Sequence, residues 1–341
     1  MAILLPLTGP SAAIGAALFN AAQLALFELA DGNFTLLPFD TKGTAEGAAA
    51  AARQALAQHA GLIIGPLFSA EAKAVAALTK PAGISVVALT ADRAAAGPGV
   101  YVLGFLPGPQ ALRVAEFAHA QGRSRLAVLA PSNDYGRTVV EYLSNFGAPM
   151  GVTVSVLQYY DADAGDLTVP LKRLMKPNAK QPGDPGFDAL LLPDEGPRLR
   201  NLAGLLAGQG IDPAQIKLLG TMLWEDSRPN TVAALSGGWY AASAPAAHGD
   251  FDQRFAKAFG AKPPRLASLG YDATALAAVL ARQGGLGFTP AGLTNPLGFA
   301  GVDGLFRLKN DGTTERGYAV MEVVPDGQPH EVSPAPGSFL P

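Results

Sequence analysis

The sequence has no cysteine, and this absence removes disulfide bonds, thiolate nucleophiles and thiolate metal ligands from consideration. Charge is also scarce, because only 16% of the 341 residues are charged and the formal net charge is -3. No run of five basic residues occurs, so we do not expect a surface that binds nucleic acid.

Enzyme signatures are missing as well. The four histidines, His59, His119, His248 and His330, lie far apart in the sequence, which disfavours a histidine metal site or a catalytic triad. There is no Gly-x-Ser-x-Gly elbow, no Walker loop and no Gly-x-Gly-x-x-Gly fingerprint. We therefore expect a protein that is not an enzyme and that needs no cofactor and no metal.

Long apolar runs are lacking too. Gly, Pro or a charge interrupts every stretch of the roughly 18 to 20 residues that a membrane span needs, which predicts a soluble chain. Met1 leads directly into AILLPLTGP, which reads as a buried strand and its loop, without the basic region or cleavage site of a signal peptide. Two explanations stay open: a cytosolic protein, or an exported one whose signal has been replaced by a start Met.

Hydrophobic residues make up 49% of the chain, which at this length predicts two globular domains. Short apolar runs alternate with longer Ala-rich segments, and this alternation is typical of βαβ units with a parallel sheet. The predicted strands are 3–7, 34–39, 62–64, 84–89 and 101–104, then 125–130, 152–157, 188–192, 216–220 and 238–243. The predicted helices are 11–30, 44–59, 69–80, 135–146, 166–175, 196–207, 249–259 and 267–282.

Three further segments have their own patterns. The end of the chain contains a predicted hairpin around Asn310-Asp311-Gly312, followed by a tail rich in Pro and Gly. Residues 176–186 are predicted to be a surface loop.

Ligands of open α/β sheets bind beyond the carboxyl ends of the strands, next to helix N-termini. In this chain those ends read TGPSAAIG, GPLFSAE, ALTAD, APSNDYG, LPDEGP and GTMLWED. Ser69 stands at a predicted N-cap, where its hydroxyl either caps its own helix or receives a ligand carboxylate together with Thr90 and the backbone of Ala91. The sequence leaves both readings open.

The second set of strands offers an aromatic ring and several acids at the same kind of position. Tyr135 follows a strand and either packs at a helix start or forms the wall of a pocket. Asp194, Glu195 and Glu225 also lie at strand ends, where a carboxylate pairs with a ligand ammonium group or is simply solvated.

Five motifs occur in order: LLPLTGPSAAIGAALFNAAQLAL, GPLFSAEAKAV, GVYVLGFLPG, LAVLAPSNDYGR and LGYDATAL. Together they resemble the type I periplasmic binding proteins of the leucine/isoleucine/valine-binding family, over nearly the whole chain. The resemblance implies two doubly wound Rossmann-like lobes, joined by three crossover segments near 104–110, 243–248 and 301–308. Lobe 1 would hold residues 1–106 and 247–303, and lobe 2 would hold residues 107–246 and 304–341.

The resemblance also implies roles for individual residues. Ser69, Thr90 and Ala91 match the positions that hold a ligand carboxylate in the family, and Tyr135 matches an aromatic wall. Glu225 lies near the acidic position that pairs with an ammonium group, and Tyr271 lies at the predicted cleft edge. LTAD departs from the family's hydroxyl-rich turn, and Asp92 would repel a carboxylate unless its side chain points away.

Two functions of different class follow from the resemblance. The first is an extracytoplasmic receptor that closes on an amino acid or small carboxylate and delivers it to an ABC permease. The second rests on the phrases LLPLTGP, LLPFDT and GPLFSAE, which look like the penicillin-binding protein activator branch; its enterobacterial member is an outer-membrane lipoprotein that contacts a peptidoglycan synthase. Either function implies a periplasmic location, with or without a lipid anchor.

Overall fold

The structure, a computed structural model, describes residues 1–29, 34–175, 185–209, 211–212, 215–227, 230, 232–243, 245–282, 287–325 and 327–340. The strands are β1 Ala2–Leu5, β2 Leu37–Asp40, β3 Leu62–Ile64, β4 Ser85–Ala88, β5 Val100–Val102, β6 Leu126–Pro131, β7 Val154–Tyr160, β8 Ala189–Leu191, β9 Lys217–Gly220, β10 Trp239–Ala242, β11 Phe299–Gly301, β12 Gly304–Leu308, β13 Thr314–Arg316, β14 Ala319–Glu322 and β15 His330–Ser333.

The helices alternate with these strands through most of the chain. They are α1 Ala12–Leu29, α2 Ala45–Ala57, α3 Ser69–Thr79, α4 Pro107–Ala120, α5 Asp134–Phe146, α6 Thr168–Leu174, α7 Gly196–Gly208, α8 Leu223–Asp226, α9 Pro245–Phe259, α10 Ala267–Ala281 and α11 Pro290–Leu293.

The chain forms two compact units. Unit 1 comprises residues 1–106, 245–317 and 336–341, and unit 2 comprises residues 107–244 and 318–335. The first two changes of unit fall where the sequence predicted crossovers. The third falls after Gly317 rather than near 301–308, and the chain changes unit once more after Ala335.

The third boundary differs because the hairpin of β12 and β13 is held by unit 1. Thr314 donates from its hydroxyl to the carbonyl of Val102 at 2.6 Å, and the N–H of Val102 donates to the carbonyl of Gly312 at 2.9 Å. Residues 304–317 therefore belong to unit 1, whereas the sequence prediction had put them in lobe 2.

Unit 1 is built on a parallel sheet with strand order β2-β1-β3-β4-β5. The strands are short and apolar, and β1, β3, β4 and β5 are buried along their whole length, as expected for a parallel sheet covered on both faces. Helices α1 and α10 approach closely because Gly270 faces the carbonyl of Leu18, where an added Cβ would come within 2.3 Å of that oxygen.

Unit 2 is built on a mixed sheet with strand order β15-β14-β10-β9-β8-β6-β7. Strands β6 to β10 pair in parallel, whereas β14 and β15 pair antiparallel at one side. Its core contains fully buried aromatic side chains, among them Trp224, Tyr240 and Phe187.

The two-lobe α/β prediction is confirmed, and some of the detail differs. Helix α4 was not predicted because it opens on Pro107-Gly108-Pro109, although proline is well tolerated in a first helical turn. Strand β15 lies in the predicted tail, where it pairs with β14 and Arg113 donates to the Ser333 hydroxyl at 2.6 Å. Residues 176–184 of the predicted surface loop lie outside the described residues.

One helix contradicts the prediction about apolar stretches. Helix α1 spans 18 residues with a mean hydropathy of 1.5, which is long and apolar enough to cross a membrane by length and composition. In unit 1 one face of this helix is packed, with Ala21, Ala22 and Ala25 fully buried, whereas other residues such as Phe27 are exposed.

Candidate functional site

Each unit has one place where the strand order reverses, and loops at such a switch point leave a crevice in open α/β sheets. In unit 1 the switch lies between β1 and β3, because β2 is on the other side of β1. In unit 2 it lies between β6 and β8, because β7 is on the other side of β6. Ser69 and Tyr135 lie in the first turns of the helices that follow β3 and β6, and Glu195 lies in the loop after β8; the sequence singled out all three.

Ser69 is the first residue of α3 rather than its cap. Phe68 holds the cap position with extended backbone, and the Glu71 carboxylate accepts from the Phe68 N–H at 3.1 Å. The preceding loop lies close to β1, since a Cβ on Gly65, which has φ +82°, would come within 2.2 Å of the Leu4 carbonyl oxygen. The Ser69 hydroxyl is therefore not used to cap its own helix, which corrects the N-cap prediction.

The Ser69 hydroxyl donates to Oδ2 of Asp92. Oδ1 of the same carboxylate accepts from the Ala94 N–H at 2.8 Å, and the ammonium of Lys73 lies 3.9 Å from Oδ2. Partial burial opposes ionisation, but the hydrogen bonds from Ser69 and Ala94 and the charge of Lys73 outweigh it and lower the pKa of Asp92 below its usual value. Asp92 is thus an ionised carboxylate at neutral pH.

Thr90 and Ala91 lie between β4 and Asp92. Thr90 is buried, and its hydroxyl oxygen accepts from the Asp92 N–H at 3.1 Å. Ala91 is exposed. The structure thus brings Ser69 into contact with the LTAD turn, and the first partner that its hydroxyl meets there is a carboxylate of the chain itself.

A second ionised carboxylate, which sequence reasoning missed, lies at the end of β2. Asp40 accepts from the N–H groups of Leu7 and Lys42 and from the hydroxyl of Thr8 at 2.5 Å. Burial is the largest influence and acts upward, yet these hydrogen bonds together lower the pKa of Asp40. The signal was the polar pair Asp40-Thr41 directly after an apolar run.

Tyr135 lies in the first turn of α5, which Asn133 caps by accepting from the Gly136 N–H at 2.9 Å. The ring is half-buried, and its hydroxyl is 2.8 Å from the hydroxyl of Thr221, which follows β9. Burial raises the pKa of Tyr135, so the phenol is neutral. The side chain presents a half-exposed aromatic face with a fixed hydroxyl.

The loop after β8 contains two acids in different environments. Asp194 is buried and accepts from Tyr160 and from two nitrogens of Arg198, at 2.6 and 2.8 Å. Glu195 is exposed at the cap of α7. The prediction that acids lie here therefore separates into one internal ion pair and one carboxylate at the surface.

Glu195 lines a pocket within unit 2. The volume is about 480 Å3, and the lining is Glu195, Gly196, Pro197, Arg198 and Ser227. The Ser227 hydroxyl accepts from the Gly196 N–H at 2.7 Å and donates to the Leu223 carbonyl at 2.9 Å.

The remaining two predicted residues have other surroundings. Glu225 is half-buried in α8, where its charge adds to the burial that raises the pKa of Tyr240. Tyr271 is 9% exposed and donates to Glu28 at 2.7 Å, while Arg254 donates to its hydroxyl at 3.2 Å. Its contacts are those of helix packing in unit 1, so we leave Tyr271 out of the proposed site.

In the part of the chain that the structure describes, no three His, Asp or Glu side chains are grouped closely enough to hold a metal ion.

Residues 1–328 match the family model described as "Periplasmic binding protein". The chain belongs to this family. Its fold, two α/β lobes with parallel-strand sheets, is that of the type I periplasmic binding proteins, as the sequence resemblance implied.

Solved structures of periplasmic binding proteins share this fold. One from Rhodospirillum rubrum, described as a candidate branched-chain amino acid ABC transporter, is 19% identical with a TM-score of 0.83, covering 97% of this chain and 99% of that one. LivJ of Streptococcus pneumoniae, a branched-chain amino acid transporter substrate-binding protein in complex with isoleucine, is 18% identical with a TM-score of 0.66, covering 98% and 99%.

A third relative holds a ligand of another class. The solute-binding protein of an ABC transporter from Rhodopseudomonas palustris, in complex with 3,4-dihydroxybenzoic acid, is 18% identical with a TM-score of 0.67, covering 98% of this chain and 95% of that one. These relatives are solute-binding proteins rather than enzymes. No curated protein matches the sequence.

Proposed function

We propose that this periplasmic binding protein captures a small polar ligand outside the cytoplasm and delivers it to an ABC permease, without catalysing a reaction. The observation that carries the proposal is the set of polar side chains beside the strand-order reversals. In unit 1, Ser69 follows β3 at the reversal and donates to Asp92, which follows the neighbouring β4; in unit 2, Tyr135 follows β6 and Glu195 follows β8.

These groups are suited to holding a small solute. Hydroxyls and carboxylates fix a polar ligand by direct hydrogen bonds, and a half-exposed aromatic ring covers its apolar part. The relatives hold isoleucine in one case and 3,4-dihydroxybenzoic acid in another, which supports amino acids and small aromatic compounds as the first classes to test.

A thermal-shift screen tests the proposal. The panel contains the common amino acids, benzoate, 3,4-dihydroxybenzoate, small amines and peptidoglycan fragments. A ligand present at 100 times its dissociation constant stabilises the native state by about 2.7 kcal/mol, which is readily measured. We expect at least one amino acid or small aromatic compound to raise the melting temperature.

The matched variants are Glu195→Gln and Glu141→Gln, since both replace an exposed glutamate of unit 2. We expect Glu195→Gln to weaken binding about 10-fold, the scale of one lost charge-assisted hydrogen bond, and Glu141→Gln to leave binding unchanged. Equal affinity for both variants would remove Glu195 from the site.

The activator-like alternative predicts a different result from the same screen. No member of the panel would change the melting temperature, and the immobilised protein would retain a purified peptidoglycan synthase. That pair of results would replace solute capture by protein contact as the function.

A further inference from the structure

We infer that the strand ends of unit 1 that carry Ser69 and Asp92, here called the edge of unit 1, select a ligand group that donates hydrogen bonds, namely an ammonium or amidinium. Asp92 is the residue that determines this specificity. The inference rests on the proposed function and adds the chemical class of the ligand. The sequence had predicted a ligand carboxylate at this position, and the inferred ligand group has the opposite charge.

A ligand carboxylate at this position would need a free hydrogen-bond donor. A serine hydroxyl has a single proton to donate, and the Ser69 proton points to Oδ2 of Asp92. A ligand carboxylate at Ser69 would therefore have to displace an ionised carboxylate that is already bonded there. It would also lie beside the charge of that carboxylate, which disfavours a second anion.

The contacts within the chain use only part of the hydrogen-bond acceptor capacity of the Asp92 carboxylate. A carboxylate has about four lone-pair sites, and in Asp92 these meet the Ser69 hydroxyl, the Ala94 N–H at 2.8 Å and the ammonium of Lys73 at 3.9 Å. The contact with Lys73 is longer than a hydrogen bond, and 42% of the Asp92 side chain is exposed. Asp92 can thus accept a further donor from solution.

The charged groups at the strand ends of unit 1 also favour a cationic ligand group. Asp40 adds a second ionised carboxylate to the strand ends of unit 1, fixed by Leu7, Thr8 and Lys42. Arg93, the cation next to Asp92 in the chain, lies 3.6 Å from Asp311 in an ion pair. Four donors from Leu7, Thr8 and Lys42 occupy the Asp40 carboxylate, so Asp40 contributes negative charge at the strand ends, and Asp92 is the carboxylate left to accept from a ligand.

The test uses two matched sets of probes. Benzamidinium and benzoate have nearly the same shape and opposite charge. Leucinamide and 4-methylpentanoate each keep one end of leucine, the ammonium or the carboxylate. Dissociation constants are measured by calorimetry for the wild-type protein, Asp92→Ser and the control Asp250→Asn. Asp250 is an exposed acid of unit 1 that pairs with Arg254 at 2.9 Å on α9.

We expect the wild-type protein to bind the cationic member of at least one set about 10-fold more tightly than the anionic member, the ratio that one charge-assisted hydrogen bond provides. Asp92→Ser frees the Ser69 hydroxyl and should invert the preference, whereas Asp250→Asn should keep it. Circular dichroism and the melting temperature establish that each variant is folded.

A wild-type preference for the anionic members that persists in Asp92→Ser would overturn the inference and leave solute capture standing. Tight binding of a ligand that lacks any N–H or O–H donor would do the same. Absence of binding by every probe and by every ligand of the thermal-shift panel would overturn both the inference and the proposed function.

Discussion

Asp92 and Asp194 each lie in a loop that follows a parallel strand, β4 in unit 1 and β8 in unit 2. Asp194 is buried, and its carboxylate accepts hydrogen bonds from three groups. These are the Tyr160 hydroxyl, the Arg198 guanidinium and the Glu195 N–H. Asp92 is half-exposed and meets one hydroxyl, one N–H and a distant ammonium. The same residue type is thus enclosed in unit 2 and open to solvent in unit 1.

This difference in exposure suits the two carboxylates to different roles, stability for one and ligand binding for the other. A buried carboxylate must be paired, and its partners are then committed to it. Arg198 is committed in this way, because its hydrogen bonds to Asp194 raise the pKa of the guanidinium further above its usual value. A half-exposed carboxylate exchanges water for a ligand at little cost, so Asp92 is suited to binding and Asp194 to stability.

Replacing the buried Asp194 is expected to have the largest effect on stability. We expect Asp194→Ala to lower the free energy of unfolding of unit 2 by about 3 kcal/mol, because a paired cation and a buried phenol lose their acceptor. The effect lies at the low end for a buried pair, since 30% of the Arg198 side chain reaches solvent. Both tryptophans, Trp224 and Trp239, are in unit 2, so urea denaturation followed by tryptophan fluorescence measures it.

The control for this experiment is Asp134→Asn, which removes an exposed acid of the same unit, 3.6 Å from Arg137. We expect it to change the unfolding free energy by less than about 0.5 kcal/mol. Equal losses for Asp194→Ala and Asp134→Asn would show that burial does not distinguish the two sites.

Tyr160→Phe tests a single hydrogen bond to the buried carboxylate. It removes the hydroxyl that donates to the buried Asp194 and leaves the contact with Arg198 in place. Since no water readily replaces the donor, we expect a loss of about 2 kcal/mol in the free energy of unfolding, measured as for Asp194→Ala. A loss as small as that of an exposed hydroxyl would contradict this account of the pair.

Ser69→Ala removes the corresponding hydroxyl in unit 1. Water can solvate the half-exposed Asp92, so we expect a loss of only about 0.5 kcal/mol in the free energy of unfolding, measured by calorimetry. The pKa of Asp92 should rise toward its usual value, because one of the hydrogen bonds that lower it is gone. A titration of the Asp92 side-chain carboxyl by carbon NMR measures the shift, and an unchanged midpoint would contradict the hydrogen bond.

The pH dependence follows from the same lowered pKa. An acid whose folded pKa lies below its unfolded value contributes stability above the unfolded pKa of about 3.9 and loses it as the pH falls through the folded pKa. The difference in stability between the wild-type protein and Ser69→Ala should therefore be constant at neutral pH and vanish at the acid end. A difference that grows on acidification would reverse the assigned direction.

Much of this architecture could be predicted from the sequence. Short apolar runs ending at Gly or Pro located the parallel strands to within a few residues, because burial on both faces requires such runs. The hairpin around Asn310-Asp311-Gly312 was found for a similar reason, since its turn chemistry is local. Its unit was not, because the contacts of Thr314 and Gly312 with Val102 join positions more than 200 residues apart.

The contact between Ser69 and Asp92 could be predicted from the sequence only in part. Strand order places Ser69 and Asp92 after neighbouring strands, so their proximity could be expected. The direction of the hydrogen bond depends on side-chain rotamers and on the position of the helix start at Ser69 rather than after it. By contrast, Asp194 and Arg198 are four residues apart at the start of a helix, a spacing that predicts contact from sequence alone.

Lys73→Gln is expected to have the smallest effect and tests how open the edge of unit 1 is. The ammonium lies 3.9 Å from Asp92, and 57% of the lysine side chain is exposed, so water and salt screen the pair. We expect a change of about 0.3 kcal/mol in the free energy of unfolding and a slightly tighter grip on a cationic probe, since one competing charge is gone. A loss above about 1 kcal/mol would mean that Lys73 and Asp92 form a tight structural pair like that of Arg198 and Asp194, and that Asp92 is no more available to a ligand than Asp194.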